Sequence, residues 1–266
     1  MLSPFSSVRA IITHPGGAHR DEFLACCVVL SERAVPIWRR EPCAEDLLDQ
    51  GICVIDAGHS HDVLLQNYDH HQFSKDHPPT CSLSLILQAL DLYDDAIEFC
   101  DWLRPTEWFD CRGPARTSKW LGIDQSHLSQ LFSPIDGSLL RRFSASKEIR
   151  LGDTLWEIMR MIGEDIVLFV RQMRARLNYL KAHGRYLELV TDRIAGLIFF
   201  VPRDPIILDD PSLGIDRFLE NDGKPAEVLA TVTPDRRSSG FALTRFRDHP
   251  NICLLYTSPS PRDQRG

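Results

Sequence analysis

Short apolar runs alternate with longer stretches of helical length along the first half of the chain. Residues 9–13 read RAIIT, and two further apolar runs at residues 35–38 and 52–55 are predicted to be strands. A helix is predicted over Asp21–Leu30, because its opening acidic residues suit a helix N-terminus. Further helices are predicted at Ser82–Leu90, Tyr93–Leu103 and Pro114–Leu121. This alternation is typical of an α/β fold built on a parallel sheet.

The second half of the chain opens with a long helical pattern, predicted from Asp153 to about Arg185. Apolar residues recur every three or four positions in it, at Ile162, Ile166, Phe169, Met173, Leu177 and Leu180. Strands are predicted beyond it at Ile194–Val201, Ala226–Val232 and Gly240–Phe246. We therefore predict a first domain at residues 1–150, then a bridging helix and a smaller α+β domain at residues 151–252.

Residues 253–266 do not continue this pattern. They read CLLYTSPSPRDQRG, which breaks with the strand-like segment before them. We expect them to be foreign to the fold and the native C-terminus to be missing, so they are excluded from the prediction of elements.

Composition narrows the class of protein. A hydrophobic content of 43% with 25% charged residues is that of a globular protein, and no apolar run reaches the roughly 18 residues of a membrane-spanning helix. The N-terminus does not resemble a secretory signal and the eight cysteines form no C-x-x-C pair, so we expect a cytoplasmic protein. The formal charge of −7 argues against a broad nucleic-acid-binding surface, although metals and a few arginines could still bind phosphate.

Seven of the ten histidines lie between residues 14 and 77, in or near three clusters of possible ligands. His14-Pro-Gly-Gly-Ala-His19-Arg-Asp21 follows the first strand, Asp56 ends the strand at residues 52–55, and Asp69-His70-His71 follows another short apolar run. Ligands bind at the carboxyl ends of parallel strands, so we expect the first two clusters on one rim of the sheet. Each cluster alone could be a polar loop, a turn residue or a helix cap, but the three together favour a metal site.

The candidate ligands outnumber those of one tetrahedral zinc ion. Imidazoles with carboxylates suit manganese, iron, zinc or cobalt, whereas magnesium prefers oxygen ligands alone. Two metals roughly 3.5–4 Å apart and bridged by a carboxylate would use them all. We expect two divalent ions, manganese first, with magnesium, cobalt or zinc as alternatives. His59, His61 and His77 are expected to be solvated loop residues, although His77 could contact phosphate.

The motifs His14-x4-His19-x-Asp21-Glu22, Val54-Ile55-Asp56-x-Gly58 and Asp69-His70-His71-Gln72 resemble those of the DHH phosphoesterase superfamily. Within it, the form T-H-x-G-x-x-H-x-D-E is most similar to the melanocyte-proliferating-gene exonuclease family, especially its bacterial members. The similarity covers most of residues 9–252 and is strongest through about residue 122. It implies a DHH domain followed by a substrate-binding domain, and a metal-dependent phosphoesterase that acts as a 3′-to-5′ exonuclease on RNA or short oligonucleotides.

The resemblance also implies a role for each matching residue. One metal would be held by His14, His19 and Asp56. The other would be held by Asp21, His70 and an aspartate of a fourth motif, with Asp56 as the bridge. That aspartate is assigned to Asp110 in the segment EWFDCRGP, with Asp101 as the alternative.

The catalytic residues implied by the resemblance are Asp69, His70 and His71. His71 would face the scissile phosphate and Asp69 would orient the histidine pair. A hydroxide activated by both metals would attack phosphorus in line. No nucleophilic side chain is required.

Substrate contacts are expected from His71 and from a basic segment of the second domain, at Arg236, Arg237, Ser239, Gly240 and Arg245. A solvated hairpin remains the alternative for that segment. Aromatic residues near the fourth motif could stack on bases, although core packing is expected for at least half of Trp102, Trp108, Phe109 and Trp120. The partner is expected to be RNA or an oligonucleotide and not a membrane, and a homodimer is left open. The alternative functions are a small-molecule phosphohydrolase for pyrophosphate or a cyclic dinucleotide, and a catalytically idle metal- or RNA-binding module.

Overall fold

The computed structural model describes residues 3–130, 133–192, 194–203, 214–235 and 238–247. Its contacts divide the chain into two compact units, Met1–Arg171 and Gln172–Gly266. The first unit contains a six-stranded, mostly parallel sheet and the second a four-stranded sheet, which confirms the mixed α/β class. The proposed boundary near residue 150 concerns separately folding domains and stays a prediction.

The strands of the first unit are β1 (Ala10–Thr13), β2 (Ile37–Arg39), β3 (Ile52–Ile55), β4 (His61–Asp62), β5 (Asn67–Tyr68) and β6 (Glu148–Ile149). Their order in the sheet is β4-β5-β3-β1-β2-β6. The four inner strands are parallel to one another, and the two-residue strands β4 and β6 are antiparallel at the edges. Thr13 pairs with both Arg39 and Ile55, so β1, β2 and β3 end together at one rim of the sheet.

The helices of the first unit are α1 (Arg20–Glu32), α2 (Ala44–Leu48), α3 (Ser82–Ala89), α4 (Tyr93–Phe99), α5 (Leu103–Leu121), α6 (Gln125–Gln130) and α7 (Pro134–Ala145). The helix predicted over Tyr93–Leu103 is wrong in its extent, because the chain leaves the helix after Phe99 and α5 begins at Leu103. The helix predicted over Pro114–Leu121 is the second half of α5. A kink separates the halves, because Gly113 has a φ of 73° and Pro114 has no N–H to donate.

The long helix α8 (Thr154–His183) begins in the first unit and ends in the second. In the first unit, the predicted Ile162 and Ile166 of its apolar stripe are half-buried. The predicted stripe is wrong at Phe169, which is 39% exposed, whereas Met159, Val167 and Val170 are buried. The reason is Gly163, where an added Cβ would lie 1.8 Å from the carbonyl oxygen of Cys27. The two backbones pack directly at a residue that a count of apolar side chains does not register. In the second unit the predicted Met173, Leu177 and Leu180 are buried.

The second unit contains β7 (Arg185–Val190), β8 (Ala195–Phe200), α9 (Ile215–Asn221), β9 (Val228–Pro234) and β10 (Phe241–Arg245). The strand order is β10-β9-β8-β7, with β8 and β9 parallel and the outer pairs antiparallel. The three strands predicted here are confirmed within about two residues at each end, whereas β7 begins where the long helix was predicted to end. Residues 236 and 237 and the segment 253–266 lie outside the described residues. Within the described ranges, no helix is both long and apolar enough to cross a membrane.

Candidate metal centre

The rim where β1, β2 and β3 end carries the polar residues that were predicted to bind metal. His14 follows the last residue of β1 and Asp56 follows the last residue of β3. The turn from Pro15 to Ala18 then leads to His19, the N-cap of α1, and Asp21 lies in the first turn of that helix. The parallel register of the strands therefore brings together side chains that are more than 40 residues apart in the chain.

Four overlapping groups of potential ligands form at this rim, each with its ligand atoms within 4.8 Å of one another. The groups are Asp56, Asp69, His70 and His71; His14, His19 and Asp56; His70, Asp110 and Cys111; and His19, Asp21 and Asp110. All eight residues expected at the centre occur in these groups. Asp56, His19, His70 and Asp110 each belong to two of the groups. Asp101, the alternative to Asp110, belongs to none of the groups found among the described residues. Cys111 was not predicted, and its position one residue after Asp110 is the feature of the sequence that could have suggested it.

Asp56 contacts a histidine with each of its carboxylate oxygens. Its Oδ2 lies 3.5 Å from His14 Nε2, and its Oδ1 lies 3.1 Å from His70 Nε2. The same His70 nitrogen lies 2.9 Å from Asp110 Oδ2, and Asp110 Oδ1 lies 3.7 Å from His19 Nδ1. A carboxylate that meets different partners through its two oxygens has the arrangement of a bridging ligand.

The backbone of Asp56 is held in an uncommon conformation, with a φ of 55°. Its N–H donates to the carbonyl oxygen of Tyr68 at 3.1 Å, and Ser82 Oγ donates to its Oδ1 at 3.0 Å. Left-handed conformations at residues other than glycine cost on the order of 1–3 kcal/mol, and they cluster at functional sites. These two contacts fix the carboxylate at the centre of the ligand groups.

Several buried side-chain atoms of this centre lack hydrogen-bond partners. Among the described residues, neither oxygen of Asp21 has a hydrogen-bond partner, although the residue is only 1% exposed. Asp56 Oδ2, His70 Nε2 and Asp110 Oδ2 also lack hydrogen bonds of good geometry, even though some of their separations are short enough for ion pairs. Buried polar atoms without partners are costly, and a cation between them would satisfy several at once. The set of donors thus fits divalent metal ions.

Protons occupy this centre when no metal does. Contacts with Asp56 and then Glu22 raise the pKa of His14 to about 11. Burial alone would lower the pKa of His70, but its close contacts with the carboxylates of Asp110 and Asp56 outweigh burial and raise that pKa to about 12. Burial, followed by the charges of Asp56 and Asp110, raises the pKa of Asp21 well above its usual range. Metal binding must therefore displace protons from these groups.

A buried ion pair supports the loop that carries the first ligands. Glu22 Oε2 lies 2.6 Å from His14 Nε2, and its Oε1 lies 3.0 Å from Arg39 Nη2. Arg39 also donates to the carbonyl oxygens of Gly16 at 3.2 Å and Gly17 at 3.3 Å, so it holds the turn between His14 and α1. Neither Glu22 nor Arg39 was assigned a role from the sequence pattern. The rule that ligands bind at the carboxyl ends of parallel strands also points to Arg39, because this residue ends β2 beside His14 and Asp56.

Asp69 holds the ring of His71. Its Oδ1 lies 2.7 Å from His71 Nδ1, and its Oδ2 accepts the backbone N–H of His59 at 2.7 Å. The His71 side chain is 49% exposed, whereas Asp69 is buried. The remaining histidines at positions 59, 61 and 77 are exposed, as expected of solvated residues. His61 lies in β4 and not in a loop, and His77 stacks on Phe73 with ring centroids 4.5 Å apart.

A cavity of about 750 Å³ adjoins this centre within the first unit. One wall contains His19, Asp21 and Asp110, which together form one of the ligand groups. The remaining walls are largely apolar and come from α5, α6, α7 and the segment between α5 and α6. Phe109, expected either to stack on bases or to pack in the core, lines this cavity. Trp108 and Trp120, which carried the same two expectations, stack on each other at 4.9 Å.

The predicted substrate contacts from the second half of the chain belong to the second unit. Ser239 and Gly240 lie between β9 and β10, where the Gly240 carbonyl accepts from Arg203 Nη2 at 2.7 Å. Arg245 ends β10. Arg236 and Arg237 lie outside the described residues, and the role of the whole segment stays a prediction.

Comparison with models of protein families gives a match, which lies in the first unit. Comparisons with curated proteins and with solved structures give no significant match. Residues 10–84 match the family model MYG1_exonuc, which is described as an uncharacterised protein family (UPF0160). The match includes every residue of the four ligand groups except Asp110 and Cys111. From β1 to the first turn of α3, the chain is similar to that family.

Proposed function

We propose that this chain is a metal-dependent phosphodiester hydrolase of the DHH type, acting as a 3′-to-5′ exonuclease on RNA or short oligonucleotides. The observation that carries the proposal is the convergence of Asp21, Asp56, His70 and Asp110, each of which has at least one buried side-chain atom without a hydrogen-bond partner among the described residues. The name of the family matched by residues 10–84 also points to an exonuclease.

His14, His19 and Asp56 would hold one metal, and Asp21, His70 and Asp110 the other, with Asp56 shared between them. Bound metals would supply an activated water and neutralise the charge of the phosphate. The chain itself fixes the geometry of this ligand set. Arg39 and Glu22 hold the loop of the first histidine, and Ser82 holds Asp56.

His71 is proposed to bind the scissile phosphate. If the Nδ1–H of its neutral ring donates to Asp69 Oδ1, at 2.7 Å, the remaining nitrogen is Nε2 on a half-exposed side chain. Nε2 would then face the phosphate, and Asp69 would hold the ring in that orientation.

A substrate panel tests the proposal. The manganese-loaded protein should shorten an RNA oligomer from its 3′ end, and Asp56→Asn should remove this activity together with most metal binding. Asp94→Asn is the matched control, because Asp94 is an exposed aspartate in the first turn of α4. Equal activity in the Asp56 variant and the wild type would contradict the proposed centre.

The formal charge of −7 favours a second candidate, hydrolysis of a small phosphate compound such as pyrophosphate or a cyclic dinucleotide. The double variant Arg236→Ala with Arg237→Ala separates the two. If these arginines bind a polynucleotide, their loss should raise the KM for an RNA oligomer and flatten the salt dependence of binding, since fewer phosphates are neutralised. Rapid cleavage of pyrophosphate with intact RNA would instead establish the small-molecule activity. The complete donor set argues against a catalytically idle module.

A further inference from the structure

We infer that the cavity beside the metal centre is a binding site for the planar aromatic group of an organic phosphate, such as the base of a nucleotide. This inference rests on the proposed function, because it assigns the part of the substrate that lies next to the scissile phosphate. The nucleotide that enters this cavity would be the one whose phosphate meets the metal ligands.

The position of the cavity supports this assignment. His19, Asp21 and Asp110 lie both in its wall and in a potential metal-binding group whose ligand atoms are within 4.8 Å of one another. A phosphate held at that group would therefore carry its attached sugar and base directly to the mouth of the cavity. The volume of about 750 Å³ falls within the roughly 300–1,000 Å³ of typical small-molecule sites.

The walls of the cavity determine the chemistry of the group that would fit. Phe109, Leu121, Ile123, Leu128 and Leu140 provide an apolar lining with one aromatic ring. An inorganic phosphate or pyrophosphate would leave this lining in contact with water, whereas a planar base would cover it and could stack on the ring.

Apart from the candidate metal ligands, the polar side chains in these walls already have partners, so they offer little base-specific recognition. Thr106 Oγ1 donates to the carbonyl oxygen of Trp102 at 2.8 Å, and Thr117 Oγ1 donates to that of Gly113 at 2.9 Å. Arg20 Nη2 lies 2.7 Å from Asp136 Oδ2. The site should therefore accept different bases with similar affinity, as a nuclease without sequence preference requires.

The kink of α5 shapes the cavity. Gly113 has a φ of 73°, and the two halves of the helix on either side of it both contribute to the lining, through Phe109 before the kink and Thr117 after it. A straight helix would direct these residues along a single axis.

Calorimetry on the manganese-loaded protein tests the inference, with adenosine 5′-monophosphate, inorganic phosphate and n-hexyl phosphate as probes. The nucleotide should bind roughly tenfold more tightly than phosphate, as expected when one base is stacked and buried. Leu140→Trp, which fills the cavity, should remove this preference and leave the affinities for manganese and phosphate unchanged. Ile135→Trp is the matched control on α7, since Ile135 is 68% exposed and does not line the cavity.

Each outcome separates this inference from the proposed function. Failure to bind manganese would contradict the metal centre itself. If manganese and phosphate bind but the nucleotide binds no more tightly than phosphate, the cavity is not a base site. Tighter binding of hexyl phosphate than of the nucleotide would assign the cavity to an aliphatic group and overturn the inference. Should Leu140→Trp prevent folding, Ile123→Trp replaces it, because Ile123 lines the cavity yet is 37% exposed.

Discussion

Arg39 Nη2 lies 3.0 Å from Glu22 Oε1, and the two side chains are only 1% and 0% exposed. Neither residue belongs to the ligand groups, yet this ion pair connects the end of β2 to the first turn of α1 and lies directly behind His14. The pair thus holds in place the loop that carries the candidate ligands His14 and His19.

Replacing Arg39 with methionine should destabilise the protein by about 3–5 kcal/mol, because it removes the guanidinium from the buried ion pair with Glu22. Urea denaturation measures this loss. The control is Arg40→Ala, since the neighbouring pair of Arg40 with Asp46 is partly exposed and such pairs contribute about 1 kcal/mol or less. Equal and small losses in both variants would show that the buried pair does not support the loop.

Asp110→Asn should weaken manganese binding by more than the roughly 10–100-fold seen when an outer partner of a metal ligand is removed. Its carboxylate contacts both His70 and His19, and one of its oxygens has no hydrogen-bond partner among the described residues. Asp101→Asn is the matched control, because Asp101 is exposed and lies outside the ligand groups found there. Metal titration followed by elemental analysis gives both results. A greater loss in the Asp101 variant would assign the fourth motif to that residue.

The stability of the metal-free protein should fall as the pH rises from about 6.5 to 11. Asp56 and Glu22 raise the pKa of His14 to about 11, and contacts with Asp110 and Asp56 raise that of His70 to about 12 despite burial. The folded state therefore binds protons that the unfolded chain has lost above its histidine pKa of ~6.5, and this contribution disappears as the folded-state values are passed.

Denaturant titrations in EDTA at pH 6 and pH 9 test this pH dependence. The same titrations with saturating manganese should show a stabilisation by the metal that grows with pH, because metal binding releases those protons. A metal-free protein that gains stability between pH 6 and pH 9 would contradict the proposed protonation of the two histidines.

Gly163→Ala should destabilise the protein by roughly 1–3 kcal/mol or more, because the new Cβ would lie 1.8 Å from the carbonyl oxygen of Cys27 and the backbones would have to separate. Gly137→Ala provides a control of opposite sign. Gly137 lies within α7 with nothing within 4 Å of an added Cβ, so alanine should stabilise the helix by about 0.5–1 kcal/mol. Thermal denaturation of both variants measures the difference. A stabilised Gly163 variant would refute the direct packing of α8 on α1.

The amino-acid sequence was sufficient to predict the elements that carry a strong local pattern. The runs that became β1 and β3 are apolar and short, and each ends in a polar residue, His14 or Asp56. Because parallel strands end at a common rim, the sequence alone predicts that those two residues lie near each other. The short strands β4, β5 and β6 contain only two residues each and have no periodicity to detect.

Only the tertiary structure decided which residues of each helix face the core and which support the metal centre. The buried face of α8 is set by Gly163, whose lack of a side chain allows close packing that hydrophobicity does not encode. Likewise, the contact between Arg39 and the carboxylate of Glu22 forms only when β2 and α1 come together in the fold. The conformational preference of a short segment depends on its neighbours in the chain. The sequence therefore determined the strands and the polar residues at their ends. The ion pair, the orphaned oxygens of Asp21 and the cavity beside them depend on contacts between distant segments, which form only when the chain folds.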